Sequence, residues 1–245
     1  MGERSVTPVR INKYFTQQGF CSRRVADKLI EEARVKINDR VAVLGDQVAA
    51  EDVVTVDGRV LRRNPRPVYL AYHKPIGVTC TMELHVAGNI LQAIGYPDRI
   101  FPIGRLDKES SGLILLTNDG DIVNRILRAE FGHEREYLVT VDRPPTPGFL
   151  RQLESGVMVL GKKTNPCRAI KVDASTFRIT LTEGRNRQIR RMCSALGYRV
   201  VRLVRIRIMQ ILLGDLPVGQ WRPLSSKERD DLFSSLGLTE AQAAS

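Results

Sequence analysis

The chain is 245 residues long, enough for a full hydrophobic core and a small accessory domain besides. Its 38 Lys and Arg against 27 Asp and Glu leave a net charge of +11 at pH 7, the balance of a protein that meets a polyanion, nucleic acid before membrane. No apolar run approaches a bilayer span, and Met-Gly-Glu-Arg-Ser at the start lacks the apolar core of a secretory signal. The reading is therefore a cytoplasmic protein with no membrane partner. Cys21, Cys80, Cys167 and Cys193 are scattered, form no Cys-x-x-Cys pair and are expected to be reduced. His73, His85 and His133 are isolated and show no ligand spacing, so no metal site is expected.

After a tail of eight residues, Val9 to Gly58 reads as a compact module. Arg10–Gln18 is expected to be a helix stopped at Gly19. Ser22 can cap a second helix that runs to about Glu32, with Val25, Ala26, Leu29, Ile30 and Ala33 on one face. Short strands follow at Val35–Ile37, Val41–Val43 and Val53–Val56, with turn chemistry at Asn38-Asp39 and Asp57-Gly58. Between Arg10 and Lys36 there are seven Lys or Arg and three acids. A solvated helix face accounts for such a pattern; so does a grip on phosphates, carried by Arg10, Lys13, Arg23, Arg24 and Lys28. The proline- and arginine-rich Leu61–Pro67 reads as a linker, which divides the chain into residues 1–65 and 66–238.

The second domain opens with a strand at Val68–Tyr72 that runs into Lys74-Pro-Ile-Gly77. A short helix follows near Ile90–Ile94, then a buried strand at Leu113–Leu116 and a helix from Asn118 or Asp119 to Arg128 with Ile122, Val123, Ile126 and Leu127 inward. Glu134–Asp142 reads as a strand with Tyr137, Val139 and Val141 on one face. A helix near Gly148–Leu153 and strands near Val157–Leu160, Ala169–Val172 and Phe177–Leu181 come next. Thr182–Gly197 reads as a helix that buries Ile189, Met192, Cys193 and Leu196, leaving Arg187, Arg190 and Arg191 on the flank. From Glu183 to Arg207 eight arginines face one acid, and the alternation around Arg202, Arg205 and Arg207 predicts a wet, basic strand edge. A last helix is expected near Ser225–Leu236. Strands and helices alternate irregularly, and many strands look antiparallel. The fold class is therefore α+β: a small α/β module, then a domain on a mixed, mainly antiparallel sheet flanked by helices.

The chemistry gathers in front of the buried strand, in Gly104-Arg-Leu-Asp-Lys-Glu-Ser-Ser-Gly112. Arg105 and Asp107 stand two residues apart at its mouth, between glycines that let the backbone turn. A carboxylate fixed there beside an arginine stays ionised and can act as base or nucleophile. On residue types alone, an ion pair capping the strand is the simpler reading.

Four motifs in order change that balance. Lys74-Pro-Ile-Gly77, Gly104-Arg-Leu-Asp-Lys-Glu-Ser-Ser-Gly-Leu-Ile-Leu-Leu-Thr-Asn118, Glu136-Tyr-Leu-Val139 and Gly184-Arg-Asn-Arg-Gln-Ile-Arg-Arg-Met192 stand behind an N-terminal module that resembles an S4 RNA-binding domain. Together they resemble the RsuA/RluB/RluE/RluF family of bacterial ribosomal RNA pseudouridine synthases, most of all its RluF-type branch, which acts on large-subunit RNA. The resemblance implies isomerisation of uridine to pseudouridine in 23S ribosomal RNA by a monomer, without cofactor or metal. It implies Asp107 as the catalytic aspartate, Arg190 as its charge partner and Tyr137 as the aromatic that packs on the target base. It further implies Arg105 as the side chain that fills the stack when the uridine flips out, and Ile189 as an apolar wall. Lys74 matches the family's Lys-Pro motif, and Arg185, Arg187 and Arg191 would meet RNA. Two alternatives stand beside this reading: the same chemistry on small-subunit ribosomal RNA or a tRNA anticodon arm, and a non-catalytic ribosomal RNA-binding or assembly factor.

Overall fold

The computed structural model describes residues 8–61, 66–83, 85–127 and 132–238, and these form two compact units. In the first, strand β1 (Val9–Arg10) leads into helix α1 (Ile11–Gln17) and helix α2 (Arg23–Glu31). Ser22 caps α2, its Oγ accepting from the Val25 amide. Strands β2 (Val35–Ile37), β3 (Arg40–Val41), β4 (Gln47–Val48), β5 (Val54–Val56) and β6 (Arg59–Val60) complete the unit. β2, β3, β5 and β6 form one antiparallel sheet in the order β3-β2-β5-β6, and β1 pairs with β4. Ile11, Phe15, Ala26, Ile30 and Val35 fill its core. The expected inward face of α2 is narrower than its apolar pattern: Ala26 and Ile30 are buried, whereas Val25 and Ala33 are exposed. Alanine 33 has left the helix and takes a positive φ of 56°. The two-residue strands β1, β4 and β6 are too short to leave a period in the sequence. Most of the predicted linker, residues 62–65, lies outside the described residues.

The second unit starts with β7 (Tyr69–Lys74), α3 (Ile90–Ile94), β8 (Phe101–Ile103), β9 (Ser111–Thr117) and α4 (Gly120–Leu127). Then follow β10 (Arg135–Val141), α5 (Pro147–Glu154), β11 (Met158–Val159), β12 (Lys162–Lys163), β13 (Arg168–Lys171), β14 (Thr176–Leu181) and α6 (Gln188–Ala195). The chain ends with β15 (Val200–Ile208), β16 (Ile211–Leu212), β17 (Trp221–Pro223) and α7 (Ser226–Ser235). The main sheet runs β13-β14-β10-β15-β9-β7-β17, antiparallel at every step except β15 against β9.

Every residue of β9 is buried, as its continuous apolar run predicts. Leu113 and Leu115 face one core with Tyr69, Ala71 and Phe233, and Ile114 and Leu116 face another with Leu70, Tyr72 and Ile90. A third core packs α5 and α6 on β10 and β14 through Phe149, Leu153, Val139, Phe177, Met192 and Cys193.

Three expectations change here. Residues 182–187 do not join the helix of 188–195: Arg187 sits at its start with φ 53° and ψ 32°, a left-handed conformation that a helix interior excludes. The basic strand is no edge. β15 lies between β10 and β9, Arg205 is 3 % exposed, and Arg207 is ion-paired to Glu134 and Glu136 at 2.8 and 2.7 Å. Arginine alternation alone cannot distinguish a wet face from one whose charges are met by neighbouring strands. Leu127, expected inward on α4, is 38 % exposed.

The way β9 is bordered positions the site. β8 pairs antiparallel with its last residues, from Ile103 opposite Leu115 to Phe101 opposite Thr117. β15 pairs parallel with its first residues, Val204 opposite Ser111 and Arg205 opposite Gly112. The β8–β9 hairpin thus opens after Ile103, β15 enters the opening, and residues 104–110 form the loop at that seam.

Candidate active site

The loop is held from several sides. Ser110 N donates to the carbonyl of Asp107 over 3.0 Å, closing a turn. Gly77 N, at the end of the Lys-Pro-Ile-Gly motif, donates to the carbonyl of Lys108 over 2.8 Å. Leu106 N donates to Cys80 Sγ at 3.4 Å. Two motifs far apart in the sequence therefore meet at the loop, and Asp107 stands at its turn with its side chain half-buried.

A cavity of about 800 Å³ opens over this loop. Asp107, Arg105, Tyr137, Ile189, Arg187 and Arg205 all line it, along with Cys80, Met82 and Leu203. Six side chains expected at the site from sequence are thus brought together: Asp107, Tyr137, Arg105, Ile189, Arg187 and Arg185. Tyr137 reaches the cavity from β10, where Arg205 on β15 is its register partner. Ile189 is buried in the first turn of α6 and forms apolar wall. Arg105 is exposed at the rim.

Lys74 ends β7 opposite Gly112, fully buried, with Nζ donating to the Pro75 carbonyl over 2.7 Å. Burial lowers its pKa, and the charges of Cys80 and Asp107 work against that shift. It stands behind the cavity wall, not on it, so it bears on Asp107 through its field.

Among the described residues Arg190 forms no ion pair with Asp107; the carboxylate it approaches is that of Glu109, at 3.9 Å. Its guanidinium donates to the carbonyls of Val200 and Glu109 at 3.3 and 3.2 Å and to Ser110 Oγ at 3.3 Å. It grips the loop from the far side of the turn. Arg187 joins it through a 2.7 Å bond to the Glu109 carboxylate, and that hydrogen bond holds the Glu109 carboxyl below the usual carboxylate range.

Arg185 is likewise occupied. It donates to Glu183 at 3.0 Å and to the carbonyls of Lys162 and Lys163 at 3.2 and 2.8 Å. Glu183 also accepts from Gln188 Nε2 at 2.8 Å and from the Asn165 amide at 3.0 Å. The Gly184–Arg187 turn is thereby locked onto the β11–β12 hairpin, and Arg185 also lines the cavity. Arg191 donates to Asn186 Oδ1 over 2.9 Å within the same turn.

In the N-terminal unit Arg10, Arg23, Arg24 and Lys28 are exposed and Lys13 is half-buried. Lys28 lies 3.8 Å from Glu32.

Sequence reasoning missed Arg205 and Cys80 as members of the site. The trace of Arg205 was Gly112: a Cβ there would lie 2.3 Å from the Arg205 carbonyl oxygen, and a glycine inside a strand marks such a close backbone approach. Among the described residues no cluster of His, Cys, Asp and Glu could hold a metal ion, and no helix is long and apolar enough to cross a membrane.

Comparison with known proteins gives the same outline. Residues 68–195 match the family model described as RNA pseudouridylate synthase, and residues 9–54 match the S4 domain. The dual-specificity RNA pseudouridine synthase RluF of Salmonella typhi is 49 % identical over 97 % of this chain and 83 % of its own length. Ribosomal large subunit pseudouridine synthase B of Bacillus subtilis is 36 % identical over 89 % of this chain and 93 % of its own. A crystal structure of a pseudouridylate synthase superposes with a TM-score of 0.67 at 31 % identity, covering 91 % of this chain and 99 % of that one.

Proposed function

Because the chain belongs to the RNA pseudouridylate synthase family, with an S4 domain ahead of the catalytic domain, we propose that it isomerises a uridine of large-subunit ribosomal RNA, with Asp107 as the catalytic aspartate. The observation that carries this reading is the cavity in which Asp107, Tyr137, Ile189 and Arg105 converge from separate elements. A non-catalytic RNA binder has no use for a carboxylate in a wall otherwise rich in arginine, where it repels phosphate.

Uridine and pseudouridine have the same composition, so the reaction needs neither cofactor nor co-substrate. The C1′–N1 bond breaks, C5 of the base bonds to C1′, and a proton leaves C5 while N1 gains one. The target nucleotide must leave the RNA stack to reach a cavity of this depth. Arg105, at the rim, takes the vacated place in the stack, and Tyr137 packs against the flipped base from β10. Ile189 supplies the apolar wall. Asp107 provides the nucleophile or base. Arg190 keeps the turn in place.

Residues 1–65 hold RNA through Arg10, Lys13, Arg23, Arg24 and Lys28, and residues 66–238 carry the chemistry. The enzyme works as a monomer in the cytoplasm. Large-subunit ribosomal RNA is favoured by the name of the Bacillus relative. The relatives described as dual-specificity favour a second RNA substrate, for which a tRNA anticodon arm is the candidate.

The test maps pseudouridine by carbodiimide reactivity in ribosomal RNA and tRNA from cells with and without the gene, complemented by wild type or by Asp107→Asn. Asn is nearly isosteric with Asp and cannot serve as base or nucleophile at neutral pH. At least one large-subunit site should vanish with the gene, return with wild type, and stay absent with the Asn variant. A full pseudouridine map in the deletion strain would exclude the assignment.

A further inference from the structure

Arg205 is a nearly fully buried cation, 3 % exposed, in the central strand of the sheet and on the wall of the cavity. Its hydrogen bonds reach both ends of the Asp107 loop. Nε donates to the Leu113 carbonyl over 2.6 Å, and Nη1 reaches the Arg105 carbonyl at 3.4 Å. No carboxylate forms an ion pair with it among the described residues. The third nitrogen, Nη2, is buried with no hydrogen-bond partner there. The guanidinium carbon stands 6.0 Å from the centre of the Tyr137 ring.

This arrangement is costly. A buried charge is ordinarily paired or fully hydrogen-bonded, and a buried donor left unmet loses its hydration without compensation. Lys74, a second buried cation, feels Arg205 as a like charge that adds to its lowered pKa. Loop anchoring alone does not explain the choice of residue, because two carbonyls could be met by a neutral side chain. What remains is a buried N–H donor without a partner among the described residues, on a side chain of the cavity wall whose guanidinium carbon stands 6.0 Å from the ring on which the flipped base is expected to pack.

We propose that Arg205 is a further catalytic residue of the pseudouridine reaction, whose free Nη2–H group binds a carbonyl oxygen of the flipped uracil and stabilises the negative charge that gathers there. The inference rests on the reaction proposed above. When the C1′–N1 bond breaks heterolytically, its electron pair leaves with the base, and the uracil anion spreads that charge over O2 and O4. If Asp107 instead adds to C6 of the base, the electron pair of the C5=C6 bond moves onto the conjugated C4 carbonyl, at O4. Either route makes a uracil oxygen more negative in the transition state than in the bound uridine, which is the condition for a fixed donor to accelerate the step. The proton bookkeeping is unchanged, since Arg205 keeps its proton throughout.

The test compares wild type, Arg205→Met and Arg205→Lys on the RNA substrate and on versions carrying 2-thiouridine or 4-thiouridine at the target position. Sulfur is the poorer hydrogen-bond acceptor. Single-turnover rate, RNA affinity by filter binding and thermal melting are read in parallel. Arg205→Met should bind RNA within about threefold of wild type and lose at least a hundredfold in rate, the loss seen on removal of one oxyanion donor. One of the two thio substitutions should slow wild type tenfold or more and leave Arg205→Met no slower than it already is, a non-additivity that a purely structural role would not produce. If Met does not support the fold, the same comparison in Arg205→Lys decides. Equal thio effects in wild type and variant, or a folded Arg205→Met at the wild-type rate, would overturn the assignment alone. A wild-type protein inert on every RNA would overturn the reaction and this inference with it.

Discussion

Arg187 and Glu109, 78 positions apart in the chain, meet over 2.7 Å at the cavity and tie the start of α6 to the Asp107 loop. Both side chains are largely exposed, at 41 % and 59 %, so the pair contributes less than about 1 kcal/mol to stability. Its value lies in position: the left-handed backbone at Arg187 aims the guanidinium at the loop.

Glu109→Gln should therefore leave the melting temperature nearly unchanged and slow single-turnover isomerisation by about 10–100-fold through displacement of the neighbouring Asp107. Arg187, released from its partner, would add one cation to the RNA-facing rim, so affinity should rise at low salt and its salt dependence steepen by about one phosphate's worth. A Gln variant with normal rate and lowered stability would reduce the pair to a structural strut.

Tyr137→Phe keeps the ring proposed to pack against the base. Base–aromatic stacking of about 1–3 kcal/mol is retained, and RNA affinity should hold. If the hydroxyl takes part in removing the C5 proton, release of tritium from 5-tritiated uridine RNA should fall by at least roughly 100-fold. Undiminished tritium release would confine Tyr137 to packing.

Gly112→Ala should damage both fold and site. The position has φ 111°, and a Cβ would meet the Arg205 carbonyl oxygen at 2.3 Å. Backbone strain alone costs about 1–3 kcal/mol, and the only relief is to part β9 from β15, which moves the loop. Urea unfolding should show a lowered midpoint with the slope preserved, and turnover should fall further than the unfolded fraction explains. A midpoint equal to wild type would mean that the two strands do not approach as described.

Acid should loosen the C-terminal helix. Arg222 on β17 holds Glu228 in a two-pronged bridge at 2.7 Å on each side, and Glu228 also completes the capping box of α7 with Ser225. The Arg222 hydrogen bonds hold the Glu228 carboxyl at about 2. Because the folded value lies below the unfolded one, near 4.3, the stabilisation is complete above that pH and lost as pH falls towards 2. With Arg222 37 % exposed, solvent screening keeps the contribution to about 1 kcal/mol. The melting temperature of wild type should drop across this window more than that of Glu228→Gln, and parallel pH profiles would contradict the bridge.

Elements with a strong period or a clear stop were legible in the sequence. The span of α3, the buried β9, the cap of α2 at Ser22 and the alternation of β10 all carry their cause in neighbouring residues. The clustering of Asp107 with Tyr137 and Ile189 followed from motif order behind an S4-like module. What could not be read was pairing. Nothing local tells Arg205, inside the sheet, from Arg202, which is exposed, because the difference lies in which strand runs alongside. Nor does residue type show that Glu183 consumes Arg185, or that the Ser110 hydroxyl and the Glu109 carbonyl draw Arg190 away from Asp107. In each case the deciding partner lies tens of residues away in the chain or across a turn whose geometry the sequence does not spell out.

The parallel seam between β9 and β15 also sets an order in time. Before Val200–Ile208 exists, β7, β8 and β9 can pair among themselves, as can β10, β13 and β14, but nothing joins the two groups. Ribosomes add about 5–20 residues per second, so Ile208 follows Asp107 by about 5–20 s. Through that interval the loop lacks Arg205, and after it the seam still has to close across a long stretch of chain, a slow step for non-local strands. The Asp107 loop and the cavity over it are therefore among the last parts of the molecule to form, well after the N-terminal S4 domain has left the ribosome.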